Sequence, residues 1–177
     1  MNYQQIIDRY YEPQSPLWNI LVTHSRCVAD KALAAIKSHH LDVDAAFVEE
    51  AAMLHDIGIF LTDAAGIQCF GTEPYIRHGL LGAELMRREG YPLHALVCER
   101  HTGTGLTLDQ IVRQQLPLPH HDFVPVSLEE QLICWADKFF SKTRPDVERS
   151  QETARQKLEK FGAEGLQRFD AWCQLFG

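Results

Sequence analysis

One stretch of this chain, Asp44 to Gly58, is apolar almost all round a helix and yet ends in a histidine and an aspartate. Ala45, Ala46, Phe47, Val48, Ala51, Ala52, Met53 and Leu54 leave only two glutamates as strongly polar positions. A helix with so few polar faces belongs in the centre of a fold, packed on several sides. The spacing predicts a helix over 44–56, capped at its start by Asp42 or Asp44 and stopped by Gly58. The terminal His55-Asp56 pair is then carried into the interior. An ionised carboxylate there costs several kcal/mol unless it is paired or bound to a metal, about the scale of buried-charge desolvation. Imidazole and carboxylate together suit divalent cations. A single pair also reads as a helix-end hydrogen bond, so its meaning rests on what the rest of the chain brings to it.

The rest reads as further helices with little strand alternation, which predicts an all-α helical bundle. Helices are expected over 3–11, 17–39, 74–89, 92–101 and 107–115, with one from a capping box at Ser127 and Glu130 to about 142. The segment 146–176 reads as one or two amphipathic helices broken near Gly162 and Gly165. The loop 62–72 is glycine-bearing and is a candidate lid. Prolines 117, 119 and 125 make 116–126 a loop. No repeat, low-complexity stretch or long linker divides the chain, so 1–177 is expected to form one domain, with a core over about 18–142 and a helical tail over about 146–176.

Net charge bounds the partners. The chain has 17 Lys and Arg against 24 Asp and Glu, a formal charge of -7. That argues against general nucleic-acid or membrane-surface binding, which needs a basic face. A small phosphorylated ligand remains possible, because a metal and a few local cations can neutralise it. The five cysteines are odd in number and widely spaced, with no CxxC pair. They read as reduced, mostly buried thiols, with Cys69 in a loop and open to exposure. No signal-like start and no long apolar run are evident, so a cytoplasmic location is expected. The amphipathic tail leaves a homodimer open.

Four more residues share the character of His55 and Asp56. His24 falls between Leu21 and Val28 on the apolar stripe of its helix. His78, His101 and Asp137 each lie on the apolar side or at the end of a different predicted helix. Polar side chains aimed at one core from five helices need a shared partner, and a metal between helices supplies it. His39, His40, His94, His120 and His121 read as ordinary surface or core histidines.

The order His24, His55-Asp56, His78, His101, Asp137 resembles the HD superfamily of metal-dependent phosphohydrolases. His55-Asp56-Ile57-Gly58 is similar to its HDIG form, and Arg77-His78-Gly79, Gly82-Ala83-Glu84 and Trp135-Ala136-Asp137-Lys138 extend the likeness over about 18–142. The resemblance implies an all-α HD-type bundle. It implies one metal on His24, His55, Asp56 and Asp137, and a second on His78 and His101, with Asp56 bridging. It implies metal-dependent hydrolysis of a phosphoric ester or anhydride, with Asp56 and His55 as catalytic residues and a nucleotide or other small phosphorylated metabolite as substrate. The ion is one or two of Fe, Mn, Zn, Ni, Co or Mg. HD-type di-iron oxygenases and non-catalytic regulatory modules are the alternatives. Many HDIG proteins carry Lys after the glycine, where this chain has Ile59. Another cation must meet the substrate phosphate, and Arg26, Arg77, Arg100 and Lys138 are the candidates.

Overall fold

The computed structural model describes residues 1–177, and nine α-helices account for most of them. They are α1 (Tyr3–Tyr10), α2 (Pro16–His39), α3 (Ala45–Leu54), α4 (His78–Arg88), α5 (Pro92–Arg100), α6 (Leu108–Arg113), α7 (Leu128–Asp137), α8 (Gln151–Leu158) and α9 (Ala163–Phe176). A two-stranded antiparallel ribbon, β1 (Asp63–Ala64) and β2 (Cys69–Phe70), is the only sheet.

Local chemistry sets most starts. Ser15 accepts from the Trp18 N–H at 3.2 Å, and Pro16 follows it at the first helical position, where a missing N–H costs nothing. Asp44 caps α3 by accepting from Phe47 N–H at 3.0 Å. Thr107 and Gln110 form a complete reciprocal box at α6. Ser127 caps α7, but the expected box is not closed. The Glu130 carboxylate accepts instead from Val126 N–H, one residue further back, and holds Arg100.

The central position of α3 is as its composition requires. Val48, Ala51, Ala52, Met53 and Leu54 are buried, and α2, α5 and α7 pack around them. The main hydrophobic core is continuous from Ile6 and Ile7 in α1 to Phe169, Trp172 and Phe176 in α9. The tail therefore packs onto the core of its own chain. Leu106, Ile111 and Phe123 form a small satellite cluster beneath the 102–126 segment.

Several boundaries differ from the sequence expectation. Helix α3 ends at Leu54, and the chain then tightens: Ile57 N–H donates to Leu54 O and Ile59 N–H to Asp56 O, both at 3.0 Å. Helix α4 begins at His78, after a 3₁₀ turn over Tyr75–Arg77. Helix α7 ends at Asp137, followed by turns in which Phe139 and Phe140 donate three residues back. Gly162, at φ +85, separates the last turn after α8 from α9, whereas Gly165 lies inside α9 and accepts from the Thr104 hydroxyl at 3.0 Å. The loop 62–72 folds into the β1–β2 ribbon, and this buries Cys69, the cysteine expected to be exposed. Gly58 is not a left-handed helix stop. Its φ is -88, and its role is steric, because α4 passes directly over it.

Candidate metal centre

Six side chains from five helix ends or faces converge at one point. His24 comes from the middle of α2, His55 and Asp56 from the turn after α3, His78 from the first residue of α4, His101 from the residue after α5, and Asp137 from the last residue of α7. All six are buried, His55 and Asp56 completely. These are the six residues singled out from the sequence, and the fold brings every one of them together.

Asp56 is the hub, and its two oxygens face different partners. Oδ2 lies 3.1 Å from His24 Nε2 and 3.0 Å from His55 Nε2. Oδ1 lies 3.3 Å from His101 Nε2 and 3.5 Å from His78 Nε2. Asp137 Oδ1 closes the first group, 3.0 Å from His24 Nε2 and 3.5 Å from His55 Nε2. The result is two ligand sets with one shared carboxylate: His24, His55, Asp56 and Asp137, and Asp56, His78 and His101.

The backbone fixes which imidazole nitrogens face the centre. Nδ1 of His55, His78 and His101 each lies 2.7 Å from the carbonyl three residues earlier, on Ala52, Tyr75 and Cys98. A carbonyl only accepts, so each Nδ1 carries a proton and Nε2 is the nitrogen that each ring turns inward. Nε2 of His78 and of His101 then meet at 3.0 Å. Two lone pairs at that distance repel unless a proton or a cation lies between or beside them.

Proton occupancy follows burial and neighbours. Burial, and then the nearby His101, push His78 down to about 3, so its lone pair is free. Burial also lowers His101. Burial acts to lower His55 too, but Asp56 and Asp137 outweigh it and hold it up to about 9. A cation and that proton compete for the same nitrogen. Burial disfavours the Asp56 charge, yet the positive field of His55 and Lys142 with the facing histidines keeps it well below the usual carboxylate range. Neither oxygen of Asp56, neither ring nitrogen of His24 and not His55 Nε2 has a hydrogen bond of good geometry. Buried polar atoms are almost always satisfied, and four of these five, all but His24 Nδ1, face one another at the centre, which fits a bound cation. The donor set, imidazole with carboxylate, is that of a divalent metal.

The basic residues fall differently from the sequence expectation. Arg26 pairs with Glu49 at 2.8 Å, Arg77 with Glu73 at 3.0 Å and Arg100 with Glu130 at 3.0 Å. None of the three lines the cavity at the centre. Lys138 does, with its Nζ 2.6 Å from Asp137 Oδ2 and 2.9 Å from His101 O. The residue that sequence reading missed is Lys142, whose Nζ lies 2.6 Å from Asp56 Oδ2. Burial disfavours its charge, but Asp56, Tyr75 and Asp137 hold it above the ordinary lysine range. Ile59, the residue after Gly58, is fully buried in the core. Lys142 and Lys138 supply the local positive charge instead.

The centre opens into a cavity of about 480 Å³. Its wall near the centre is Tyr75, His78, His101, Asp137 and Lys142, and its far wall comes from the C-terminal segment. The Tyr75 ring stacks on His78, with centroids 4.6 Å apart and planes at 18°.

An all-helical core that buries paired His/Asp ligand sets beside an open cavity defines a class of proteins with a metal-competent centre. The chain belongs to the HD domain family, whose model matches residues 21–141. An uncharacterized protein of Methanocaldococcus jannaschii is 34% identical over 128 residues, 70% of this chain and 68% of that protein. The tRNA (cytidine(56)-2'-O)-methyltransferase of Thermoplasma volcanium is 32% identical over 122 residues, 68% of this chain but 32% of that enzyme. The enzyme of the same name from Picrophilus torridus is 33% identical over 102 residues, 57% of this chain and 26% of its own length. The chain thus spans a third or less of the two methyltransferases. No solved structure matches it. No helix is long and apolar enough to cross a membrane.

Proposed function

We propose that this protein is a metal-dependent phosphohydrolase acting on a nucleotide or other small phosphorylated metabolite. The observation that carries the reading is the divided carboxylate of Asp56, one oxygen toward His24 and His55 and the other toward His78 and His101. His24, His55, Asp56 and Asp137 would hold one divalent ion, and Asp56, His78 and His101 a second. Such ions activate water near neutral pH and offset charge on phosphoryl oxygens.

The remaining roles belong to the chain itself. The carbonyls of Ala52, Tyr75 and Cys98 lock three imidazoles with Nε2 inward, so no side-chain reorganisation is needed when a ligand arrives. Lys142 and Lys138 place two ammonium groups at the cavity floor, where a substrate phosphate enters. Lys138 is tethered to His101 O. Lys142, whose Nζ is held by Asp56, stands in the same cavity wall as a second ammonium donor for a phosphoryl oxygen. Tyr75 walls the far side of His78 and limits water there. The methyl-transfer activity named for two relatives is not carried over, because the shared stretch is a third or less of their length.

The test is elemental analysis of protein purified without added metal or chelator, followed by phosphate release from a nucleotide panel. About two equivalents of a transition metal per chain with phosphate release is the expected result. Iron alone, with oxygen consumption and no phosphate release, would move the assignment to a di-iron oxygenase. No metal, and none taken up on reconstitution, would leave a non-catalytic regulatory module. His78→Ala is expected to reduce metal content from about two equivalents to about one, with the helical circular dichroism unchanged. An unchanged count would restrict the centre to the four-ligand position.

A further inference from the structure

Most cations in this acidic chain are already engaged. Of the 17 lysines and arginines, all but Lys37, Arg144, Arg149, Lys157, Lys160 and Arg168 pair with a carboxylate. Arg168 is occupied by the carbonyls of Thr104 and Gly105 at 2.9 and 3.3 Å. Lys37 is exposed on α2. The other four lie together on one side of the molecule. Arg149, Lys157 and Lys160 line the far wall of the cavity that opens from the His/Asp centre. One guanidinium nitrogen of Arg149 donates to Phe140 O at 3.0 Å, which fixes the side chain and leaves its charge uncompensated. Arg144 joins Arg149 and Lys157 in an adjoining pocket of about 250 Å³, where the hydroxyls of Ser141, Thr143 and Thr153 complete a polar lining without a carboxylate.

That grouping runs against the overall charge of -7. Acidic residues are close in sequence, at Asp146, Glu148, Glu152 and Glu159, yet none lines either space. Glu148 turns away to Lys31 at 2.7 Å. Like charges gathered without counter-charge repel one another, and an anionic ligand relieves that repulsion. The two spaces share Ser141, Thr143, Arg149 and Lys157, so they form one trough leading away from the centre. Ile67, Phe140, Leu158 and Phe161 also line the larger space and give it apolar wall suited to the uncharged part of a ligand.

We propose that Arg144, Arg149 and Lys157 form a second anion subsite, so that the substrate is a bisphosphate: one phosphoryl group at the His/Asp centre and another, not hydrolysed, held at the far end of the trough. This rests on the phosphohydrolase reading for the reacting end only. The subsite lies beyond residue 141, outside the stretch that matches the HD family, and it gives the C-terminal segment a role in selecting substrate. The remote phosphate contributes binding and orientation, and no bond to it changes.

The probe is a series of α,ω-alkanediol bisphosphates with spacers of about three to eight carbons, compared with the matching alkyl monophosphates, because two linked groups gain only when the spacer fits the span. Binding to the metal-loaded protein is measured by calorimetry, and phosphate release is followed in the same samples. One spacer length is expected to bind about tenfold more tightly than its monophosphate, with a preference that shrinks as salt is raised. Lys157→Gln and Arg144→Gln, both at exposed positions, are each expected to narrow that gap by about threefold to tenfold. Lys37→Gln, the unpaired cation outside the trough, is expected to leave it unchanged. Absence of a preference at every spacer length would overturn the subsite, as would an equal loss in Lys37→Gln, which would mark a bulk charge effect. Preference without phosphate release supports the subsite and removes the hydrolase reading. Release without preference does the reverse.

Discussion

Asp56→Ala is expected to empty both metal positions and to lower phosphate release by at least about 10²–10³-fold, the order found when a group that stabilises developing charge is removed. Asp56 is fully buried and is the one residue common to the two ligand sets. His24→Ala or His101→Ala removes a ligand from one set, whereas Asp56→Ala removes one from each. A second cost falls on stability. Lys142 Nζ loses its 2.6 Å carboxylate partner, and stripping one member from a buried ion pair costs about 3–5 kcal/mol. Lys142 is 14% exposed and borders the open cavity, so it can swing toward water, and the cost should sit near 3 kcal/mol at the low end of that range. Asp56→Asn keeps the shape and removes the charge. It should lose metal as completely as alanine while retaining the helical circular dichroism, which separates loss of ligand from loss of fold. Wild-type metal content and rate in either variant would sink the two-position centre.

The six convergent residues were legible in the sequence because each sits on an apolar stripe or at a helix end, where a polar side chain is otherwise unexplained. His24 shows this most directly: its neighbours Leu21 and Val28 are fully buried, and so is it. The geometry of the turns was not legible. Extending α7 to residue 142 as a regular helix would set positions 137 and 142 about 140° apart around the axis, at 3.6 residues per turn. Lys142 would then face away from Asp137. The chain instead tightens after Asp137, with Phe140 N–H donating to Asp137 O at 3.2 Å, and winds Lys142 back onto Asp56. Periodicity carries no signal for such a turn.

Charge pairing was hidden for a related reason. Arg77 and Arg100 are one residue from a ligand position and Arg26 is two, but on a helix such residues point about 100° and about 160° apart. Each finds a carboxylate elsewhere, on Glu49, Glu73 and Glu130. Of the cations that do reach the cavity, Lys138 adjoins a ligand position in sequence, whereas Lys142, Arg149, Lys157 and Lys160 lie further along the chain, beyond the last ligand. Their common position depends on how α9 packs against α7 and α8 against α9, which is a tertiary property.

Gly58→Ala is expected to be among the most harmful single-methyl additions in the chain, at about 3 kcal/mol, the upper end for overpacking against atoms that cannot rotate away. A Cβ at Gly58 would sit far inside contact distance of Gly82 N and His78 O, and 2.9 Å from Gly82 Cα. All three are backbone atoms of α4, so the whole helix must shift to make room. For a chain of this size the expected fall in Tm is about 6–12 °C. His78 is the first residue of α4, and its Nε2 stands 3.0 Å from His101 and 3.5 Å from Asp56. Displacement should therefore weaken the second metal position before the first, so that metal content falls toward one equivalent in molecules that remain folded. Gly66→Ala is the matched control, since a Cβ there meets nothing within 4 Å, and it should change stability by no more than about 0.5 kcal/mol. A third variant, Gly58→Asn, decides between steric contact and helix capping. A left-handed cap tolerates asparagine nearly as well as glycine. At a φ of -88 with α4 overhead, the introduced asparagine carries the same clashing Cβ and a larger side chain, so Gly58→Asn should be worse than Gly58→Ala. Asparagine outperforming alanine would show that Gly58 is there for its backbone conformation and not for the approach of α4.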